Sequence, residues 1–135
     1  MIVLDTSALV AWLLGHDGAD MVAQRMSAAD SLHAPALIDL EVAQVFRRYA
    51  RKGELDDARA AQALVALAEL DMTRHSHELL LPLVWRLREN CTAYDAAFAA
   101  LAAALAAPLV TLDAKTARAP WPLSALPIEV EVIPA

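Results

Sequence analysis

Cysteine is nearly missing from this chain. Cys91 is the single one in 135 residues, so no intrachain disulfide framework can hold the fold. A lone thiol suits a reducing compartment, and a cytoplasmic location is expected. Basic charge is also in short supply. Eleven Lys+Arg against 17 Asp+Glu give a formal net charge of −6. That argues against binding nucleic acid through a general basic surface and leaves room only for a local basic patch. The most apolar stretch, 93–110, is alanine-rich, carries Asp95 and closes near Pro108. A membrane span needs about 20 strongly apolar residues, so no membrane partner is expected. Met1-Ile2-Val3-Leu4-Asp5 has no basic n-region, and its acid interrupts any h-region, so no signal peptide is expected. No internal repeat is visible.

What is abundant is alanine, at 31 residues, followed by leucine, at 22. Alanine forms helices as readily as cores, but the bulky apolar remainder suffices for one core and excludes a disordered chain. One domain over 1–135 is expected. Met1 to Leu4 and Leu109 to Leu112 are short apolar runs, each stopped by an aspartate, and suit buried strands. Further strands are expected at Ser31 to Ala34, Met72 to His75 and, as an exposed edge, Ile128 to Ile133. Helices are expected over Thr6 to Leu14, Asp20 to Ala29, Pro35 to about Lys52, Asp56 to Leu70, Leu79 to Arg88 and Thr92 to Ala107. Pro120-Trp121-Pro122 reads as a rigid loop. This alternation implies an α/β fold with a mainly parallel sheet, whose sites form just past the carboxyl ends of strands.

Four acids sit in apolar surroundings. Asp5 follows Ile-Val-Leu, Glu41 lies mid-helix in Ala-Leu-Ile-Asp-Leu-Glu-Val-Ala, Asp95 opens the alanine helix, and Asp113 follows Leu-Val-Thr-Leu. A buried carboxylate is costly unless paired, and no basic residue is placed locally to pair with them. A hard divalent cation is the natural partner for several convergent carboxylates. Each aspartate also has a simpler reading as a helix cap or first-turn acid. Glu41 resists that reading because of its mid-helix place. Asp39 points to a different side of the same helix.

These residues, in this order, resemble the PIN-domain family. Met-Ile-Val-Leu-Asp5-Thr6-Ser7 is similar to its opening, and Ala-Pro35-Ala-Leu-Ile-Asp-Leu-Glu41-Val to its second motif. Thr92-Ala-Tyr94-Asp95-Ala-Ala-Phe98 is similar to the third, and Pro-Leu-Val-Thr111-Leu-Asp113 to the fourth. The length suits the compact VapC-type ribonuclease toxins of toxin–antitoxin pairs. The resemblance implies a three-layer α/β/α sandwich and a Mg²⁺- or Mn²⁺-dependent endoribonuclease that leaves 5′-phosphate and 3′-hydroxyl ends. Asp5, Glu41, Asp95 and Asp113 become the catalytic, metal-holding pocket. Asp5 and Asp95 are the main ligands, and Glu41 and Asp113 hold waters around the metal. Thr6, and more weakly Ser7, would orient a carboxylate or water. A small VapB-like antitoxin and homodimerisation are implied as well. After Asp113 comes Ala-Lys115-Thr-Ala-Arg118 without a further acid, which puts a second metal in doubt.

RNA needs cations near such a pocket. Lys115 and Arg118 stand just past Asp113 and are the phosphate-contact candidates. Arg47, Arg48, Arg51 and Lys52 are expected mainly to complement a helix C-terminus. His75-x-His77 lacks a third ligand at zinc spacing, Cys91 lacks a nucleophile's partners, and Trp12, Trp85 and Trp121 suit packing or an interface. Two other readings stand beside the nuclease. One is a non-catalytic PIN-like RNA- or protein-binding module. The other is a haloacid-dehalogenase-type phosphotransferase, disfavoured by Ser7 at the place of its second aspartate.

Overall fold

Short apolar runs become strands here because both of their faces are covered, so no alternation is needed. The computed structural model describes residues 1–118 and 128–134, without the side chains of Ala117 and Arg118. The Pro120-Trp121-Pro122 segment lies outside the described residues. Five strands are present: β1 (Ile2–Leu4), β2 (Leu32–Pro35), β3 (Thr73–His75), β4 (Leu109–Thr111) and β5 (Val130–Val132). They are all parallel, in the order β3-β2-β1-β4-β5. Every residue of β1 and β4 is buried. β5 is an edge, tied to the body by an Arg25–Glu131 ion pair at 2.7 Å.

The helices are α1 (Thr6–Leu14), α2 (Ala19–Ala28), α3 (Ile38–Arg51), α4 (Asp57–Glu69), α5 (Leu81–Arg86), α6 (Ala93–Leu105) and α7 (Ala114–Arg118). Parallel crossovers are right-handed. The chain steps from β1 to β2 to β3 in one direction, which puts α1 to α4 on one face. It then returns to β4 and β5, which puts α5 to α7 on the other. The result is a three-layer α/β/α sandwich. α6 packs on β1, β2 and β4. Its run Ala96 to Ala102 is buried on all sides, so the alanines let the helix axis approach the sheet. The core also takes Ile2, Leu4, Leu9, Ile38, Leu87 and Leu101, all essentially inaccessible. Each such side chain contributes about 1.5–3 kcal/mol on burial.

Three expectations need correction. Pro35 does not open a helix; it ends β2, paired with His75 of β3. Its missing donor costs nothing on that ladder, because the next amide, Ala36 N–H, bonds the His75 carbonyl at 2.8 Å. α3 therefore starts at Ile38, and Glu41 falls in its first turn rather than mid-helix. α6 is stopped before Pro108, by Ala106 in the left-handed region at φ 51°.

Candidate active site

The chain leaves β1 towards β2 on one side, while β4 lies on the other. The carboxyl ends of β1 and β4 thus flank a topological switch point, where open α/β sheets form their crevice. Asp5 stands at the first of these ends. Its backbone is extended and its Oδ1 accepts the Ala8 N–H at 3.0 Å, capping α1. The cap reading is thus correct as far as it goes. The same Oδ1 accepts Ser7 Oγ–H at 2.7 Å, and Oδ2 accepts the hydroxyl of Thr111. Each hydroxyl has one proton, and both protons are aimed at Asp5. As acceptors, Ser7 Oγ takes the Leu112 N–H at 3.0 Å and Thr111 Oγ1 takes the Asp113 N–H at 2.9 Å. Thr111 is wholly buried. One hydroxyl therefore ties the acid after β1 to the acid after β4.

Glu41 reaches the same crevice from α3, where Thr6 Oγ1–H donates to its Oε2 at 2.9 Å. Asp95 is presented by the first turn of α6, which Thr92 caps by accepting the Asp95 N–H at 3.2 Å. Asp113 accepts the Lys115 N–H at 2.9 Å and so starts α7. Asp5, Glu41, Asp95 and Asp113 all line one open cavity of about 1220 Å³, together with Thr6, Ser7 and Lys115. Asp5 and Glu41 are half-buried, but Asp95 and Asp113 are exposed. The expectation of four acids in apolar surroundings therefore holds for only two, because the apolar neighbours of Asp95 and Asp113 point into the core while the carboxylates face out. Among the described residues, no three His, Cys, Asp or Glu side chains are gathered tightly enough to hold a metal by themselves.

Burial pushes the Asp5 carboxyl above its ordinary range; Thr111, Ala8 and Ser7 oppose this by hydrogen bonding, and Asp113 adds repulsion. Glu41 is likewise raised, first by burial, while Thr6 lowers it and the charges of Asp95 and Asp5 raise it further. Among the described residues neither acid has an ion-pair partner. Asp5 and Glu41 thus feel the charge of the neighbouring acids without an ion pair to offset it. The donor set is all oxygen, with two carboxylates accessible from the cavity. Its chemistry fits a hard cation that keeps part of its water shell.

Sequence reasoning missed two features. Thr111 had a faint signal, as the polar member of an otherwise apolar strand. The wall of α3 had a clearer one: Glu41, Val45, Arg48 and Tyr49 recur at helical spacing and all line the cavity. Arg48 is therefore separated from its basic neighbours and faces the acids, slightly lowering Glu41. The Arg118 side chain lies outside the described residues. His75 pairs not with His77 but with His33, through its Nε2 to His33 Nδ1 at 2.9 Å, across β2 and β3. Asp39 leaves the site for a two-pronged ion pair with Arg74, at 2.7 and 3.0 Å. Trp12 packs against the core, while Trp85 is exposed under the Arg88 guanidinium.

A parallel sheet with an acid-lined cavity at its switch point defines a compact α/β domain with an oxygen-rich crevice. The PIN-domain family model matches residues 2–122, and the chain belongs to that family. It is 40% identical over 130 residues to the VapC ribonuclease Mb0985 of Mycobacterium bovis, covering 94% of this chain and 99% of that one. It is 36% identical over 132 residues to ribonuclease VapC1 of Mycobacterium tuberculosis, covering 97% and 96%. In fold it is similar to PAE2754 from Pyrobaculum aerophilum, with TM-score 0.69 at 23% identity, covering 97% of this chain and 83% of that one. VapBC2 from Rickettsia felis, solved with a DNA fragment from its promoter, gives TM-score 0.64 at 15% identity, covering 98% of each chain. No described helix is long and apolar enough to cross a membrane.

Proposed function

We propose that this protein is a metal-dependent endoribonuclease, the toxin of a VapBC-type pair. It would act in the cytoplasm as a homodimer restrained by a small VapB-like antitoxin. The observation that carries the reading is one cavity lined by acids from four separate elements, two of them raised by burial and mutual repulsion. A packing role would not assemble unneutralised carboxylates, and the named activity of the 40% identical relative points the same way. Mg²⁺ or Mn²⁺ would be held by Asp5 and Asp95, with Glu41 and Asp113 orienting waters around it. The bound cation would supply charge neutralisation at the scissile phosphate and acidify water.

The chain's own residues do the rest. Ser7 and Thr111 hold Asp5 in one rotamer. Thr6 occupies Glu41 Oε2, which leaves Oε1 to take a proton from the attacking water. Lys115 and Arg118 would contact substrate phosphates.

The test is to map cleavage of cellular RNA with and without Mg²⁺ or Mn²⁺, alongside a metal titration by calorimetry. Asp5→Asn should lower metal-dependent cleavage by at least about 100-fold, more than loss of an outer-shell partner does, with its fold preserved in the circular-dichroism spectrum. Full activity in a folded Asp5→Asn protein would remove the assignment. A wild-type chain that binds neither cation would favour the non-catalytic binding module.

A further inference from the structure

The cavity has a second wall that the acid chemistry does not use. At the end of α1, Gly15 takes the left-handed conformation at φ 67° and turns the chain sharply. His16 follows, exposed but with its backbone pinned twice: its N–H bonds the Ala11 carbonyl and its carbonyl accepts the Ala19 N–H, both at 3.0 Å. Its ring lies against that of Tyr49, with centroids 5.6 Å apart and planes tilted by 60°. Arg48 is the next residue back along α3. All three line the cavity that holds Asp5 and Glu41. Glu41 and Tyr49 are eight residues apart on one helix face, so the aromatic pair sits about 12 Å along the axis from the acid end.

We propose that His16, Tyr49 and Arg48 form a nucleobase-binding subsite. It takes an unpaired base of single-stranded RNA next to the cleaved linkage, not the reacting nucleotide itself. The inference rests on the ribonuclease reading and adds to it how the substrate is gripped. Single strands are held by stacking on aromatic, imidazole and guanidinium faces. A His ring carried on a hydrogen-bonded turn and packed against Tyr49 loses less freedom when a base stacks on it than a ring on an open loop does. The site lies in a net-acidic cavity, where phosphate attraction alone is weak, so base stacking supplies binding that charge cannot. Arg48 serves both ends: its charge faces Glu41, and its planar head can meet a base or a phosphate.

The experiment is equilibrium binding, followed by fluorescence anisotropy in Mg²⁺. The probes are a mixed-sequence single-stranded hexaribonucleotide with hydrolysis-resistant phosphorothioate linkages and the same backbone lacking its bases. Wild-type protein should prefer the probe with bases. His16→Ala should weaken that probe by about 5- to 100-fold and leave the abasic probe unchanged. Arg48→Gln should weaken both, and Tyr49→Phe should keep the preference. Equal affinity of wild-type protein for the two probes, or a folded His16→Ala protein that binds both as wild type does, would overturn the subsite. Either result leaves cleavage by wild-type protein untouched, so the ribonuclease reading would stand. Base-preferring binding without any metal-dependent cleavage would instead sink the ribonuclease reading and keep the subsite.

Discussion

The two halves of the sheet treat their polar groups in opposite ways. On the β2–β3 side, Asp39 is neutralised by Arg74, which also donates to the Leu67 carbonyl at 2.9 Å and so closes the end of α4. His33 there is bridged between Ser31 at 2.8 Å and His75 at 2.9 Å. On the β1–β4 side, Asp5 and Glu41 meet hydroxyls, amides and each other's charge, and among the described residues neither is in an ion pair; the Arg25–Glu131 pair lies farther out, on the β5 edge. Asp39 and Glu41 are two positions apart on the same helix, so the difference is not compositional. It comes from which side of α3 each occupies. One half of the sheet is built to be electrically finished, and the other retains negative charge that a ligand can relieve.

The sharpest way to break this contrast after the Asp5 substitution is Thr111→Val. It keeps the volume and removes the proton aimed at Asp5 Oδ2 and the acceptor for Asp113 N–H. Stability should fall by about 1–3 kcal/mol, read from urea unfolding, and cation affinity should weaken. Thr111→Ser should recover most of both. If Val costs nothing, the hydroxyl is not the tie between the two strand ends.

Arg74→Gln tests the finished half. The pair is partly exposed, with side-chain accessibilities of 26% and 42%, and so is screened. A loss of about 1 kcal/mol is expected, with RNA cleavage unchanged. Lost cleavage would mean the halves are coupled.

The pH response separates the halves by sign. His33 is lowered from its ordinary 6.5, first by burial and then by His75. Its contribution is complete above the unfolded value and is lost as pH falls through the folded one. Glu41 is raised above its ordinary 4.5, so its contribution is complete below the unfolded value and is lost as pH rises through the folded one. In metal-free buffer, Glu41→Gln should therefore melt higher than wild type at pH 7, with the gap closing as pH falls through the raised Glu41 value into the carboxylate range. His33→Asn should shrink the loss of stability below pH 6.5. Thermal melts across pH read both, and parallel curves for parent and variants would erase the distinction. The smallest effect is expected from charge reversal at Lys115 and Arg118, which should weaken RNA binding and flatten its salt dependence. An unchanged slope would remove them as phosphate contacts.

Much of this was legible from local pattern. Apolar runs ended by Asp5 and Asp113 foretold strands that deliver acids to one edge of a parallel sheet. The Thr92–Asp95 spacing foretold a capped helix start. Pro35 misled because a proline next to a helical pattern reads as its first turn, whereas pairing with β3 made it the end of a strand. That shift moved Glu41 from mid-helix to the first turn, and so weakened the local argument for it while leaving it on the cavity wall. Exposure of Asp95 and Asp113 was illegible, since apolar neighbours in sequence say nothing about which way one side chain points. Arg48 was hidden among basic residues, and His16 beside a glycine turn.

By itself the sequence determined what needs only near neighbours: where strands and helices alternate, where aspartates interrupt them, and which four acids recur in the family order. Only the tertiary structure decided which charges meet. Arg74 comes to Asp39 from 35 residues away and Thr111 comes to Asp5 from 106 away. Such pairings depend on strand order and helix rotation, which are settled by packing the whole core at once. That is why two acids on one helix, two residues apart, end in opposite surroundings, one ion-paired and one not.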